Sequence, residues 1–119
     1  WIEEGLKVTF EARGTDFWEP IYMLVTREIT NARTKQKELL LPDEAIDRVT
    51  ALKMTTTWAS YYILAEDTLG TLEAGKYADF AVLEKDFFTV PVEEIPDTKV
   101  IMTGLGGEIV YDENQMAGN

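Results

Sequence analysis

The stretch Gly70-Thr-Leu-Glu-Ala-Gly-Lys-Tyr-Ala-Asp-Phe-Ala-Val-Leu-Glu-Lys-Asp86 decides how the chain reads. Gly70 and Gly75 punctuate it as two tight turns. Ala78 to Leu83 follows as a strand, and Phe80-Ala-Val-Leu83 is apolar enough to expect burial on both faces. Lys76 and Asp79 are the polar groups framing that entry. Downstream, Asp86 to Pro96 contains Pro91, Pro96 and the acidic pair Glu93-Glu94, and reads as a connector. Val100-Ile-Met-Thr103 and Glu108-Ile-Val-Tyr111 flank Gly104-Leu-Gly-Gly107, a hairpin signal. Met116 to Asn119 is expected to fray.

Upstream, the pattern changes to helical. Pro42-Asp-Glu44 suits the first turn of a main helix, with two acids placed favourably for the helix dipole. Ala45, Val49, Leu52, Thr56, Ala59 and Ile63 recur at three and four residues and predict one continuous face. Thr55-Thr-Thr57 interrupts it, because β-branching restricts χ1, and predicts a kink or a restart. Trp58, Tyr61 and Tyr62 read as core more readily than as a ligand pocket. Asn31 to Glu38 carries Arg33, Lys35 and Lys37 and reads as a surface loop. Pro20 predicts a helix over Ile21 to Thr30. Leu6, Val8, Phe10 and Ala12 alternate with polar residues and predict a strand, ended by Gly14-Thr15-Asp16.

The order is strand, two helices, then three strands, an α+β arrangement. Neither half closes a core alone, so the sequence expects missing neighbours. The 119 residues carry 11 basic and 22 acidic side chains, a formal charge of −11. That balance excludes phosphate-backbone binding and an anionic membrane surface, so no nucleic-acid or membrane partner is expected. No apolar run approaches ~18 residues, and no signal peptide is visible. Trp1 is not a translation start, so a processed, tagged or excised piece is expected. The chain has no cysteine and no histidine. Disulfides, thiol nucleophiles and the commonest general base are thereby absent. A cytoplasmic location is compatible with the lack of cysteine. Gly104-Leu-Gly-Gly107 lacks the spacing of a dinucleotide loop, and Gly75-Lys76 lacks the rest of a P-loop.

Asp16 is the carboxylate singled out. It follows a strand pattern where the chain turns towards a helix, the edge that carries catalytic groups in β/α barrels. It could ligate a metal and take a proton from water. A turn aspartate satisfying nearby N–H groups is the competing reading, and the pattern alone favours it.

Three blocks together resemble the C-terminal part of metal-dependent amidohydrolases. The branch is that of N-substituted formamide deformylases and exoenzyme-regulatory proteins. The blocks are Gly14-Thr-Asp16 with Pro20 and Val25-Thr-Arg27; Leu41-Pro-Asp-Glu-Ala45 with Thr56 or Thr57 and Ala59; and Gly70 to Asp79 with Val82-Leu83, Asp86, Val90-Pro91 and Gly106-Gly-Glu-Ile-Val-Tyr111. The resemblance implies the last β/α unit of a TIM-like barrel over residues 1–66. It implies strands of a flanking β-sandwich over 67–119. It implies hydrolysis of amide-type C–N bonds by metal-activated water, with Asp16 contacting the metal and accepting the proton. The metal would be zinc or another divalent ion in the parent protein. None is expected on this chain alone, because one carboxylate falls short of the about three protein ligands of a catalytic zinc. Phe17-Trp-Glu19 is bulkier than expected after the aspartate and would line a substrate pocket or pack. The partners implied are the rest of the parent chain and a small amide-type substrate. Exposed apolar faces add an expected homo-oligomer. The alternative is a free-standing, non-catalytic α+β association module.

Overall fold

Ile21 and Ile95 are the largest side chains with no exposure at all, and the chain is arranged around them. The computed structural model describes residues 1–11 and 17–116. Ile21 lies on helix α1 (Trp18–Thr26). This helix begins three residues earlier than its sequence pattern suggests and stops at Thr26. Arg27 takes a left-handed φ of 60°, and its N–H bonds to the Met23 carbonyl at 2.9 Å, closing the helix. The Thr26 hydroxyl donates to the Tyr22 carbonyl (2.8 Å) and accepts from the Glu28 N–H (3.0 Å), steering the exit. Glu28–Thr30 is therefore strand β1, not helix. It pairs antiparallel with β2 (Lys37–Leu39), Thr30 opposite Lys37 and Glu28 opposite Leu39. The expected surface loop is exposed beyond Asn31, but its end belongs to this hairpin.

Residues 6–11 of the expected first strand form no strand, and Ala12 lies outside the described residues. An extended segment becomes a strand only when a neighbour completes its ladder, and no described segment does so. The segment is tied down instead by the Thr9 hydroxyl, which donates to the Met54 carbonyl at 2.8 Å. Phe10 packs against the core.

Pro42–Glu44 forms a single 3-10 turn, not the start of the main helix. Helix α2 (Arg48–Thr55) begins later, capped by Asp47. The Asp47 carboxylate accepts from the Thr50 N–H (3.0 Å) and hydroxyl (2.6 Å), which lowers its pKa. The expected interruption is real. Thr56 leaves helical geometry (φ −121°, ψ −92°), and α3 (Thr57–Tyr62) restarts. Thr55 and Thr56 both donate their hydroxyls to the Leu52 carbonyl, at 2.9 and 2.7 Å, which bends a helix at that point. The late start and the break rotate the expected face. Ala51, Met54 and Ser60 are buried, whereas Val49 and Ile63 are exposed. Tyr61 and Tyr62 are exposed too, so they are not core.

In the second half, Gly70 and Gly75 turn with φ of +89° and +94°, as expected. Strands β3 (Phe80–Leu83), β4 (Val100–Leu105) and β5 (Glu108–Asp112) form one antiparallel sheet in that order. The expected hairpin is β4–β5. Gly106 and Gly107 both adopt positive φ, as its two-residue turn requires. Strand β3 is an edge strand with Ala81 and Val82 exposed, so it is not buried on both faces. The Asp79 carboxylate accepts the Gly106 N–H at 2.7 Å and pins the hairpin turn to the strand entry. Lys76 donates to the Glu66 carbonyl at 2.6 Å and pairs with Glu73 at 3.2 Å. The expected connector carries the core. Phe87, Val90 and Ile95 are buried with Ile21, Tyr22 and Ala51, and Val92–Asp97 coils as a 3-10 helix. A short helix α4 (Glu113–Met116) follows β5.

The chain exposes 8861 Å², against about 6,500 Å² for a compact chain of this mass. Its radius of gyration is 16.1 Å, against about 13.5 Å. Leu39, Leu40, Leu41, Tyr62 and Leu64 are among the large apolar side chains left exposed. Among the described residues no helix is long and apolar enough to cross a membrane.

Gly70 is required for a second reason besides its φ. A Cβ there would lie 2.3 Å from Ser60 Oγ and 3.1 Å from Thr57 Cα, whereas one at Gly75 meets nothing within 4 Å. Gly75→Ala is expected to cost about 1 kcal/mol from backbone strain, and Gly70→Ala about 2–4 kcal/mol because overpacking adds to it. Urea denaturation of the two variants checks this; equal losses would contradict the close approach.

Candidate functional site

Asp16, proposed by sequence as catalytic and metal-binding, lies outside the described residues, as do Gly14 and Thr15. Its flanks are described. On the N-terminal side, Phe10 and Glu11 line a cleft of about 410 Å³ with Pro20, Met23 and Leu24. The walls are mostly apolar, with Glu11 as the acidic group. On the C-terminal side, Phe17 is partly exposed and meets the Trp18 ring edge-on at 5.1 Å. Trp18 stands 5.6 Å from Phe87, and Phe87 stands 5.6 Å from Phe88. Arg48 donates to the Phe87 carbonyl at 2.6 Å and places its guanidinium 5.8 Å from that ring. Contacts of this type each contribute about 0.5–1.5 kcal/mol beyond area burial. The start of α1, two residues after Asp16, is thus braced by the distant segment around Phe87. Sequence reading took that segment for a connector. The adjacent Phe87-Phe88 pair in a polar stretch was the signal available.

A second groove, of about 570 Å³, separates α2 and α3 from the Gly70–Ala81 segment. Its hydroxyls are committed within the chain: Thr55 and Thr56 to Leu52, and Ser60 to the Thr57 carbonyl at 2.9 Å. Its carboxylate, Asp79, is committed to Gly106. The groove reads as framework. Lys76 and Asp79 likewise hold turns together.

One polar cluster escaped sequence reading. Tyr22, buried on α1, donates to Glu28 at 2.5 Å, and Lys37 donates to the same oxygen at 2.5 Å. Lys37 also sits 5.7 Å from the Tyr22 ring. Only the hairpin register brings these residues together, because Lys37 faces Thr30 and reaches Glu28 diagonally. The hydrogen bond from Lys37, then that from Tyr22, lowers the Glu28 pKa. The bond to Glu28 raises Lys37. For Tyr22, the same carboxylate and then burial raise the phenol. These directions hold charge and proton in place, so the cluster clamps the hairpin to α1 and is no acid–base pair for catalysis.

Among the described residues no three Asp, Glu, His or Cys side chains come together to hold a metal ion. With no histidine or cysteine in the chain, the donor set of a catalytic divalent ion does not fit the residues described.

A model of the amidohydrolase family matches residues 2–111. A 5-methylthioadenosine/S-adenosylhomocysteine deaminase of Thermodesulfovibrio yellowstonii is 30% identical over 82 residues, which cover 69% of this chain and 18% of that protein. The chain therefore spans less than a fifth of that relative's length. No solved structure matches it.

The clamp has a defined pH window. A carboxyl depressed below 4.5 contributes stability above that pH and loses it as pH falls through the folded value. Lys37, raised above 10.5, and Tyr22, raised above 10.0, contribute below those values and lose it as pH rises through the folded ones. Alkaline ultraviolet titration, with a Tyr22→Phe variant subtracted, should show the Tyr22 phenol ionising above 10.0. Glu28→Gln should lower that midpoint. A midpoint that ignores Glu28→Gln would break the assignment.

Proposed function

The chain belongs to the amidohydrolase family, and from that premise we propose that it is the C-terminal part of a hydrolase of amide-type C–N bonds, in the branch that includes N-substituted formamide deformylases. The family match across residues 2–111 carries this reading. The Gly70–Asp79 block supports the branch. In this reading residues 1–66 complete a TIM-like barrel and residues 67–119 belong to a flanking β-sandwich. Two observations support a piece of a larger body: the chain spans 18% of its deaminase relative, and it exposes far more total surface than a closed fold of its size. The reading places the protein in the cytoplasm, with which the lack of cysteine is compatible.

Asp16 is the residue of this chain that acts on the substrate, accepting a proton from the attacking water. Zinc or another divalent ion, held in the complete enzyme with Asp16 as this chain's ligand, would supply polarisation of water and carbonyl oxygen. Its ligands other than Asp16 lie outside this chain, which has no histidine or cysteine. Trp18, Phe87 and Arg48 hold the start of the helix that follows Asp16 in sequence. Phe17, exposed beside Trp18, would line the substrate pocket in this reading.

A second reading is favoured by the 30% identity to a deaminase, whose name gives 5-methylthioadenosine and S-adenosylhomocysteine as its substrates. It keeps Asp16 in the same role and replaces the formamide by an aminopurine. The free-standing association module, with no chemistry, is the third.

Assay of the complete protein separates them. N-benzylformamide and 5′-methylthioadenosine are offered to wild type and to Asp16→Asn. The proposal expects formate release that falls about 10²–10⁴-fold in the variant, with unchanged circular dichroism. Ammonia release from the nucleoside alone would favour the deaminase. Undiminished hydrolysis by Asp16→Asn would remove Asp16 from the mechanism, and no hydrolysis of either compound would favour the module.

A further inference from the structure

Helix α1 carries two apolar stripes. Trp18, Ile21, Tyr22 and Val25 recur at three and four residues and pack into the core. Pro20, Met23, Leu24 and Arg27 repeat that spacing and line the cleft of about 410 Å³. Of the nine residues of α1, Glu19 and Thr26 alone fall outside the two stripes. A helix at a protein surface needs one such stripe, whereas a helix that is apolar nearly all round is an internal one.

The facing wall of the cleft is fixed. The Leu40 N–H donates to the Arg27 carbonyl (2.9 Å), and the Leu40 carbonyl accepts from Arg27 Nε (3.0 Å). Leu40 nevertheless stays 49% exposed. The terminal guanidinium nitrogens of Arg27 have no partner among the described residues. Glu11 lines the same cleft and is engaged already. Apolar groups alone cannot cover a guanidinium held in such a place, because burying an unpaired charge is costly. Whatever closes the cleft must bring an acceptor of its own, and a carboxylate matches the guanidinium fork.

The length of chain outside these 119 residues says where the cover comes from. The chain spans 18% of its deaminase relative, and its surplus of exposed surface calls for further protein against it. A helix suits the cleft better than a strand. It satisfies its own backbone groups, whereas a strand laid on apolar walls leaves N–H and C=O groups unpaired. The spacing of residues 20, 23, 24 and 27 also presents the ridges between which a second helix packs. We propose that this cleft seats an α-helix from the rest of the parent chain, apolar on its facing side and carrying a carboxylate that pairs with Arg27. The proposal rests on the part of the preceding reading that makes this chain one piece of a longer protein, and on neither Asp16 nor the reaction.

Thiol labelling of the complete protein, without substrate, tests it. Leu40→Cys and Met23→Cys are placed in the cleft in turn, and each variant unfolded in urea gives its unprotected rate. A seated helix should slow both on the order of a hundredfold or more. Arg27→Glu sets two carboxylates face to face and should raise the labelling rate about tenfold. Arg27→Lys, which keeps the charge, should retain most of the protection, and circular dichroism reports that both variants fold. Rates near those in urea would overturn the proposal, as would protection indifferent to Arg27→Glu. Protection that appears only with N-benzylformamide or 5′-methylthioadenosine would make the cleft a ligand site. Protection that grows with protein concentration would give it to a second copy, and either result overturns the proposal. Hydrolysis is scored separately on wild type: protected thiols without hydrolysis uphold the seat and sink the reaction, and reactive thiols with hydrolysis do the reverse.

Discussion

Everything in this fold depends on burying Ile21 against Ile95. One comes from the first helix and the other from a 3-10 segment more than seventy residues later, and both lose all contact with solvent. Phe87 and Val90 complete the cluster with Ala51 of the second helix. Arg48 then ties the same helix to the Phe87 carbonyl. Burial of this kind contributes about 1.5–3 kcal/mol per large aliphatic side chain, and it is concentrated in one small cluster. The remaining parts hang from it through directed bonds. The Tyr22–Glu28–Lys37 clamp holds the first hairpin, and the Asp79–Gly106 bond ties the turn of the second to the strand entry.

That arrangement has a consequence for function. The helix that starts two residues after Asp16 is positioned by side chains of the C-terminal segment through the Trp18–Phe87 contact. The terminal segment is therefore a brace for the start of α1, which follows the proposed catalytic carboxylate in sequence. The small core also leaves much unpaired. The outer edges of β3 and β5 have no partner among the described residues, and Leu39 to Leu41 lie in the open. Unpaired edges and exposed leucines invite further chain to cover them.

Local signals were legible wherever a residue's own stereochemistry sets the backbone. Gly70, Gly75 and the Gly106-Gly107 turn read directly, and so did the break at the three threonines, where β-branching and back-bonded hydroxyls act within one turn. Features that depend on partners did not read. Residues 6–11 have strand alternation but no neighbour to pair with. The stripe through Val49 and Ile63 assumed a helix starting at Pro42, and a start at Arg48 with a break at Thr56 turns those residues outward. Phe87 and Ile95 looked like connector because their burial is decided by α1, far away in sequence. The family was legible because its marks, the Gly70–Asp79 block above all, are turn chemistry. The proposed site reads only through the family resemblance, since Asp16 is a single carboxylate in a chain with no histidine and no cysteine.

The unity of the core is the claim on which the brace for α1 rests, and hydrogen exchange of an Ile95→Val variant tests it directly. Loss of one buried methylene costs about 0.5–1.5 kcal/mol, so the slowest amides should exchange about two- to tenfold faster. The account requires that acceleration in Ile21 to Thr26 of α1 as much as in Val92 to Asp97. Faster exchange confined to residues 92–97, with α1 unchanged, would show that the two segments open independently and would contradict it.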